Sequence, residues 1–77
     1  MKKRNLIELQ KLVKTLNSKT SYERSYKMTF NRFDFNSYSV VIEFSKIVCS
    51  TDLEKLLEFT NKNNCGMFLG VGYINIQ

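Results

Sequence analysis

Histidine, proline and tryptophan are all missing from this 77-residue chain, and cysteine occurs only twice. Without histidine there is no side chain whose ordinary pKa lies near neutrality, no imidazole metal ligand, and no Ser-His or Cys-His pair for nucleophilic catalysis. Two cysteines cannot furnish the four ligands of a structural zinc site, and the acids are too scattered for a dedicated calcium or magnesium loop. No metal and no cofactor are therefore expected. Cys49 and Cys65 are also too few for the disulfide framework that small secreted domains use. They fall at opposite ends of a predicted helix, about 20 Å apart at ~1.5 Å per residue. A disulfide tolerates a Cα separation of roughly 7 Å, so the pair reads as two free, small apolar residues at element ends. Free thiols suggest a reducing, cytoplasmic setting.

No run approaches the roughly 20 apolar residues of a membrane-spanning helix. The opening Met1, Lys2, Lys3, Arg4 imitates the basic start of a signal peptide, but Glu8, Gln10, Lys11 and Lys14 interrupt the apolar run such a peptide needs, so no export signal is expected. Nor is the chain built like a disordered tail. Only three glycines accompany the missing prolines, while 43% of residues are hydrophobic, including six phenylalanines and four tyrosines. A chain this short reads as one small domain, residues 1–77, which buries only about 60% of its unfolded surface. The aromatics must supply much of its core.

Charge is unevenly placed. The net +5 divides into +7 over residues 1–32 and −2 over residues 33–77. Such asymmetry suggests a basic face, with Lys11, Lys14, Arg24, Lys27 and Arg32 as its candidates, able to attract nucleic acid or an acidic protein. A solvated lysine-rich helix explains part of it equally well.

Along the chain, Asn5 resembles an N-cap with Glu8 in the capping-box position, and Leu6, Leu9, Val13 and Leu16 recur at helical spacing, predicting a helix from Asn5 to Leu16. From Tyr22 the period becomes two: Tyr22, Tyr26, Met28 and Phe30 alternate with polar residues, as in a half-buried strand. The phase then slips, because Phe33 and Phe35 fall on the opposite parity. Asn36 and Ser37 suggest a tight turn into a second strand with Tyr38, Val40, Ile42 and Phe44 on one face. A bulge at Asn31 and Arg32 would set Phe30 opposite Ile42 and reunite the large apolar side chains. Without it, Phe33 and Phe35 form an exposed patch with Val41, and such patches mark interaction sites.

Thr51 with Glu54 makes a second capping-box pattern ahead of a helix from Asp52 to Lys62, which Asn63, Asn64 and Gly66 are suited to end. A last strand, about Met67 to Ile76, is apolar on both faces, as a covered strand is. Gly70 and Gly72 lie within it, permitting close packing against a helix or an aromatic. The expected fold is α+β: a two-layer sandwich of order α-β-β-α-β, with a three-stranded mixed sheet and two helices on one face. A crossover through the second helix brings the last strand parallel to the second or beyond it. In outline this resembles a ferredoxin-like fold lacking its first strand, a likeness of topology that implies no function. An edge strand so apolar needs cover, so residues 67–76 are expected to pair with a second copy of the chain or with a partner protein.

Few residues suggest chemistry. Asp34, Glu43, Asp52, Glu54 and Glu58 each fit a turn or surface position better than an acid-base pair. A histidine-free ribonuclease toxin working with Arg24, Arg32, Tyr22 and Tyr26 is the remote enzymatic alternative. The segment from Lys19 to Arg32 interleaves basic and aromatic residues in a way that could stack bases and neutralise phosphates, which makes nucleic-acid binding the main alternative. The leading expectation is a non-enzymatic protein-binding domain that engages a host or cognate protein through Phe33, Phe35 and Tyr38 or through the basic face. Abundant Lys, Asn and Ile point to an AT-rich bacterial or phage genome, where short proteins, the anti-CRISPR inhibitors among them, often modulate a host protein.

Overall fold

A computed structural model of the chain describes residues 1–19, 26–32, 37–44 and 48–77, apart from the side chain of Lys19. Its elements follow in the order α1 (Lys3–Lys19), β1 (Tyr26–Arg32), β2 (Tyr38–Phe44), α2 (Ser50–Lys62), β3 (Met67–Gly70) and β4 (Tyr73–Ile76). The class is α+β, and the described residues form two helices and a four-stranded antiparallel sheet rather than three mixed strands.

The helical stripe read from the sequence is the one α1 buries: Leu6, Leu9, Val13 and Leu16 are all in the core. Its start differs. Asn5 is a buried helical residue, not the cap, and the Leu6 N–H already donates to the Lys2 carbonyl at 3.0 Å. What holds this end is a tertiary anchor: the Met1 ammonium donates to the Tyr38 carbonyl at 2.7 Å, and the Tyr38 N–H donates to the Met1 carbonyl at 2.8 Å.

The second capping box also fails to form. Cys49 is the N-cap of α2, extended at φ −66 and ψ 137, with no side-chain cap bond. Its carbonyl accepts the Leu53 N–H at 2.9 Å. The helix thus begins at Ser50, which leaves Thr51 inside it and turns Asp52 inward. At the other end the expected turn is present. Asn64 takes the left-handed conformation (φ 54), and the Cys65 N–H returns to the Thr60 carbonyl at 2.8 Å, as in a Schellman closure.

The first hairpin corrects the expected register. Phe30 lies opposite Val40, not Ile42, and Asn31 and Arg32 pair regularly with Ser39 and Tyr38, so no bulge interrupts them. β1 ends at Arg32 and β2 begins at Tyr38. The expected turn residue Asn36 and the aromatics Phe33 and Phe35 lie outside the described residues, as do residues 20–25 at the expected strand start. The shift is by two positions, and a two-residue shift preserves side-chain parity. Tyr26, Met28 and Phe30 therefore share a face with Val40, Ile42 and Phe44, as the alternation implies.

The expected last strand is two strands. Gly72 adopts φ 82 in the turn between β3 and β4, a conformation that favours glycine, and the chain doubles back there. Sheet order is β1-β2-β4-β3, and every adjacent pair is antiparallel. The crossover from β2 through α2 still reaches a strand of like direction, β3, but β4 occupies the place between them. Apolarity on both faces has its explanation here: Ile74 and Ile76 are fully buried on a central strand opposite Ile42 and Val40. Those four residues, with Tyr26 and Tyr38, form one face of the sheet, and α1 and α2 cover it with Leu6, Leu9, Val13, Leu16, Leu56 and Phe59.

Candidate functional site: the two edges of the sheet

The backbone hydrogen bonds show which strand groups remain open. On β2, Tyr38 bonds Met1, and the Phe44 N–H donates to the Gly72 carbonyl at 3.1 Å, so even-numbered residues direct their polar groups away from β1. The odd-numbered Ser39, Val41 and Glu43 must then bond β1 through Asn31, Thr29 and Lys27. It follows that Tyr26, Met28 and Phe30 send their N–H and C=O outward, to the outer edge of β1. At Tyr26 that edge is sealed. The Tyr26 N–H donates to Asn17 Oδ1 at 2.8 Å, and Asn17 Nδ2 donates to the Tyr26 carbonyl at 2.9 Å, so one side-chain amide does what a neighbouring strand would do.

The other edge obeys the same alternation. Gly66 and Gln77 exchange both backbone bonds, at 3.0 and 3.4 Å, which makes Met67 and Leu69 the residues of β3 whose polar groups face outward. Around them Phe68 is 57% exposed, Leu69 65% and Val71 wholly so. On the sheet face away from the helices, Phe68 stands opposite Asn75, whose Oδ1 is buried with no partner, and the Tyr73 ring lies over Gly70. A Cβ at Gly70 would collide with that ring, which is the close aromatic packing expected of the glycine.

Beside the β1 edge lies a groove of about 290 Å³ lined by Gln10, Val13, Lys14, Asn17, Tyr26, Met28 and Phe30. Phe30 is 49% exposed in it and meets the ring of Tyr38 edge-on, at 6.1 Å between centroids. Of the expected partner-binding residues, Tyr38 is thus taken into the core, while Phe33 and Phe35 lie outside the described residues. The expected basic face is divided. Lys14 lines the groove, Lys11 is exposed on α1, Lys27 projects from the opposite sheet face across from Glu43, Arg32 is exposed at the end of β1, and Arg24 is not among the described residues.

Compared with known proteins, the chain matches no family model, no curated protein and no solved structure. Any functional reading must therefore come from its own residues.

One polar pair inside the core has no signature in the sequence pattern. The Tyr26 hydroxyl donates to Asp52 Oδ2 at 2.6 Å, tying β1 to the first turn of α2. Burial, reinforced by the adjacent carboxylate, pushes the phenol up to about 12. Burial likewise raises the Cys65 thiol, and Cys49 and Cys65, both half-buried, form no disulfide. Among the described residues no group of three or more Cys, Asp or Glu converges as metal ligands would, and no helix is long and apolar enough to cross a membrane. Asn17 is the functional residue that sequence reasoning misses. Its signal is positional: Gln10, Lys14 and Asn17 share one helical stripe bordering the buried one, which marks them as facing whatever flanks the core.

Proposed function

We propose that this is a small non-catalytic protein-binding domain, acting in the cytoplasm as an inhibitor or modulator of a host protein of the kind bacteria and their phages encode. The observation that supports it is where apolar surface remains exposed. Among the described residues seven large hydrophobic side chains are exposed, and five of them, Phe30, Phe68, Leu69, Val71 and Tyr73, sit on the sheet's edge strands or in and beside the β3–β4 turn. Scattered apolar residues need no explanation, but their concentration beside unpaired backbone marks surfaces that other chains occupy.

The test is a pull-down with the tagged full chain from an AT-rich bacterial host, with and without nuclease, followed by reconstitution with the recovered protein. A stoichiometric partner that survives nuclease supports the reading. Loss of all capture after nuclease overturns it.

One arrangement favours nucleic acid as the second reading: Phe68 and Tyr73 are both exposed on the sheet face away from the helices, which Lys27 shares, as base-stacking side chains would be. Its mark is affinity for a single-stranded oligonucleotide that falls steeply with salt and drops further in Phe68→Ala.

A further inference from the structure

Two residues beyond Tyr26 the outward backbone groups recur at Met28, and two further on at Phe30. Asn17 reaches only the first of these three positions, and among the described residues no side chain takes up the other two. Next to them the groove supplies apolar footing from Val13, Met28 and Phe30 and a cation from Lys14. We propose that an extended, acidic segment of a partner protein adds to β1 as a fifth strand, bonding the backbone of Met28 and Phe30 and lying in the groove between β1 and α1.

Unpaired strand groups next to an apolar groove are what strand addition requires: main-chain bonds bring affinity, and alternate side chains read the pockets. Charge selects the occupant. Lys3, Ile7, Gln10 and Lys14 follow one another at helical spacing along the side of α1 that borders the groove. The carboxylates of the described residues are elsewhere. Glu8 and Glu58 line the cleft between the helices, Glu43 is on the opposite sheet face, and Asp52 is held by Tyr26. No carboxylate among the described residues lines this groove. Asn17 also sets a limit, since an added strand must stop or bulge where Tyr26 is already bonded.

The proposal rests on the protein-binding reading, and its test keeps the two apart. Random ten-residue peptides are selected on the folded full chain, and the recovered peptides are synthesised with and without N-methylation at alternate amides. Net-acidic, proline-poor binders are expected, with at least tenfold weaker binding after N-methylation in one of the two phases, and slowed hydrogen exchange at the Met28 and Phe30 amides. Phe30→Pro, which removes an N–H that no ladder bond uses, should weaken binding tenfold or more, and Phe30→Ala should weaken it less. Lys14→Glu should weaken acidic peptides several-fold without touching the fold, so the result does not depend on the proline variant folding. Basic binders, protection at Met67 and Leu69 instead, or an empty selection overturns the proposal. Binders at β3 leave the protein-binding reading standing. An empty selection together with salt-steep oligonucleotide binding removes both.

Discussion

The two edges of the sheet are finished in opposite ways. β1 carries Lys27 and Arg32, lies against a helix, and has one of its outward positions closed by Asn17. β3 carries no charge, lies against no such side-chain seal among the described residues, and exposes Phe68 and Leu69. An edge strand is a template for unwanted pairing unless charge, proline, a bulge or cover blunts it. The polar edge suits the selected partner proposed above, whereas the apolar edge has little with which to discriminate and gains from being covered. We propose a second copy of the chain as the cover for β3.

The largest expected effect separates β3 from β4. Ile74→Ala, at the buried centre, should cost about 2–5 kcal/mol by urea unfolding, and Leu69→Ala, its opposite number on the edge, less than about 0.5 kcal/mol. Equal losses would mean that β3 is covered too. Next comes the bond that anchors β1. Tyr26→Phe leaves the Asp52 carboxylate buried without its donor and should cost about 1–3 kcal/mol. The phenol is protonated more tightly in the folded chain than at its ordinary 10.0, so its stabilisation is complete below about pH 10 and fades as pH rises towards 12. Denaturation series across that window should show the wild type losing on the order of 2 kcal/mol more than Tyr26→Phe.

Smaller still is the seal. Asn17→Ala should cost about 1 kcal/mol and speed hydrogen exchange at the Tyr26 amide while leaving Met67 and Leu69 unchanged. Last, Leu69→Lys should leave stability within about 0.5 kcal/mol. Its effect is on association: sedimentation velocity at rising concentration should show self-association in the wild type and less in the variant. A wild type that stays monomeric throughout removes the second copy as the occupant of β3.

What the sequence disclosed and what it withheld divide along the range of the forces involved. Both helices were legible, the first because Leu6, Leu9, Val13 and Leu16 repeat at a spacing that local geometry enforces, the second because Asn63, Asn64 and Gly66 are suited to close it where it ends. Strand parity was legible for the same reason. Helix starts were not, since Met1 against Tyr38 and Tyr26 against Asp52 are contacts between residues far apart in sequence, and they displaced two plausible capping boxes. The turn at Val71 and Gly72 was hidden by continuous apolarity on either side. Its clue, one glycine in a left-handed conformation, is indistinguishable in a string of letters from a glycine such as Gly70 that makes room for a ring. Of the candidate site, Lys14 and Phe30 were visible as basic and aromatic residues, but the direction of their neighbours' backbone groups depends on register, which the predicted turn misplaced.

The place of β4 also governs the order in which this molecule can be assembled. It follows every other described element in the chain, yet it lies between β2 and β3, and its pairs with β2 join Ile42 to Ile74 and Val40 to Ile76. During vectorial synthesis α1, β1 and β2 emerge with a vacant slot along β2, and no partial product can close the sheet. Such long closures are slow to form and couple the halves once formed. The finished sheet therefore waits for its last strand, and removing Tyr73–Ile76 would leave β3 with no strand to pair with and bare the inner side of β2.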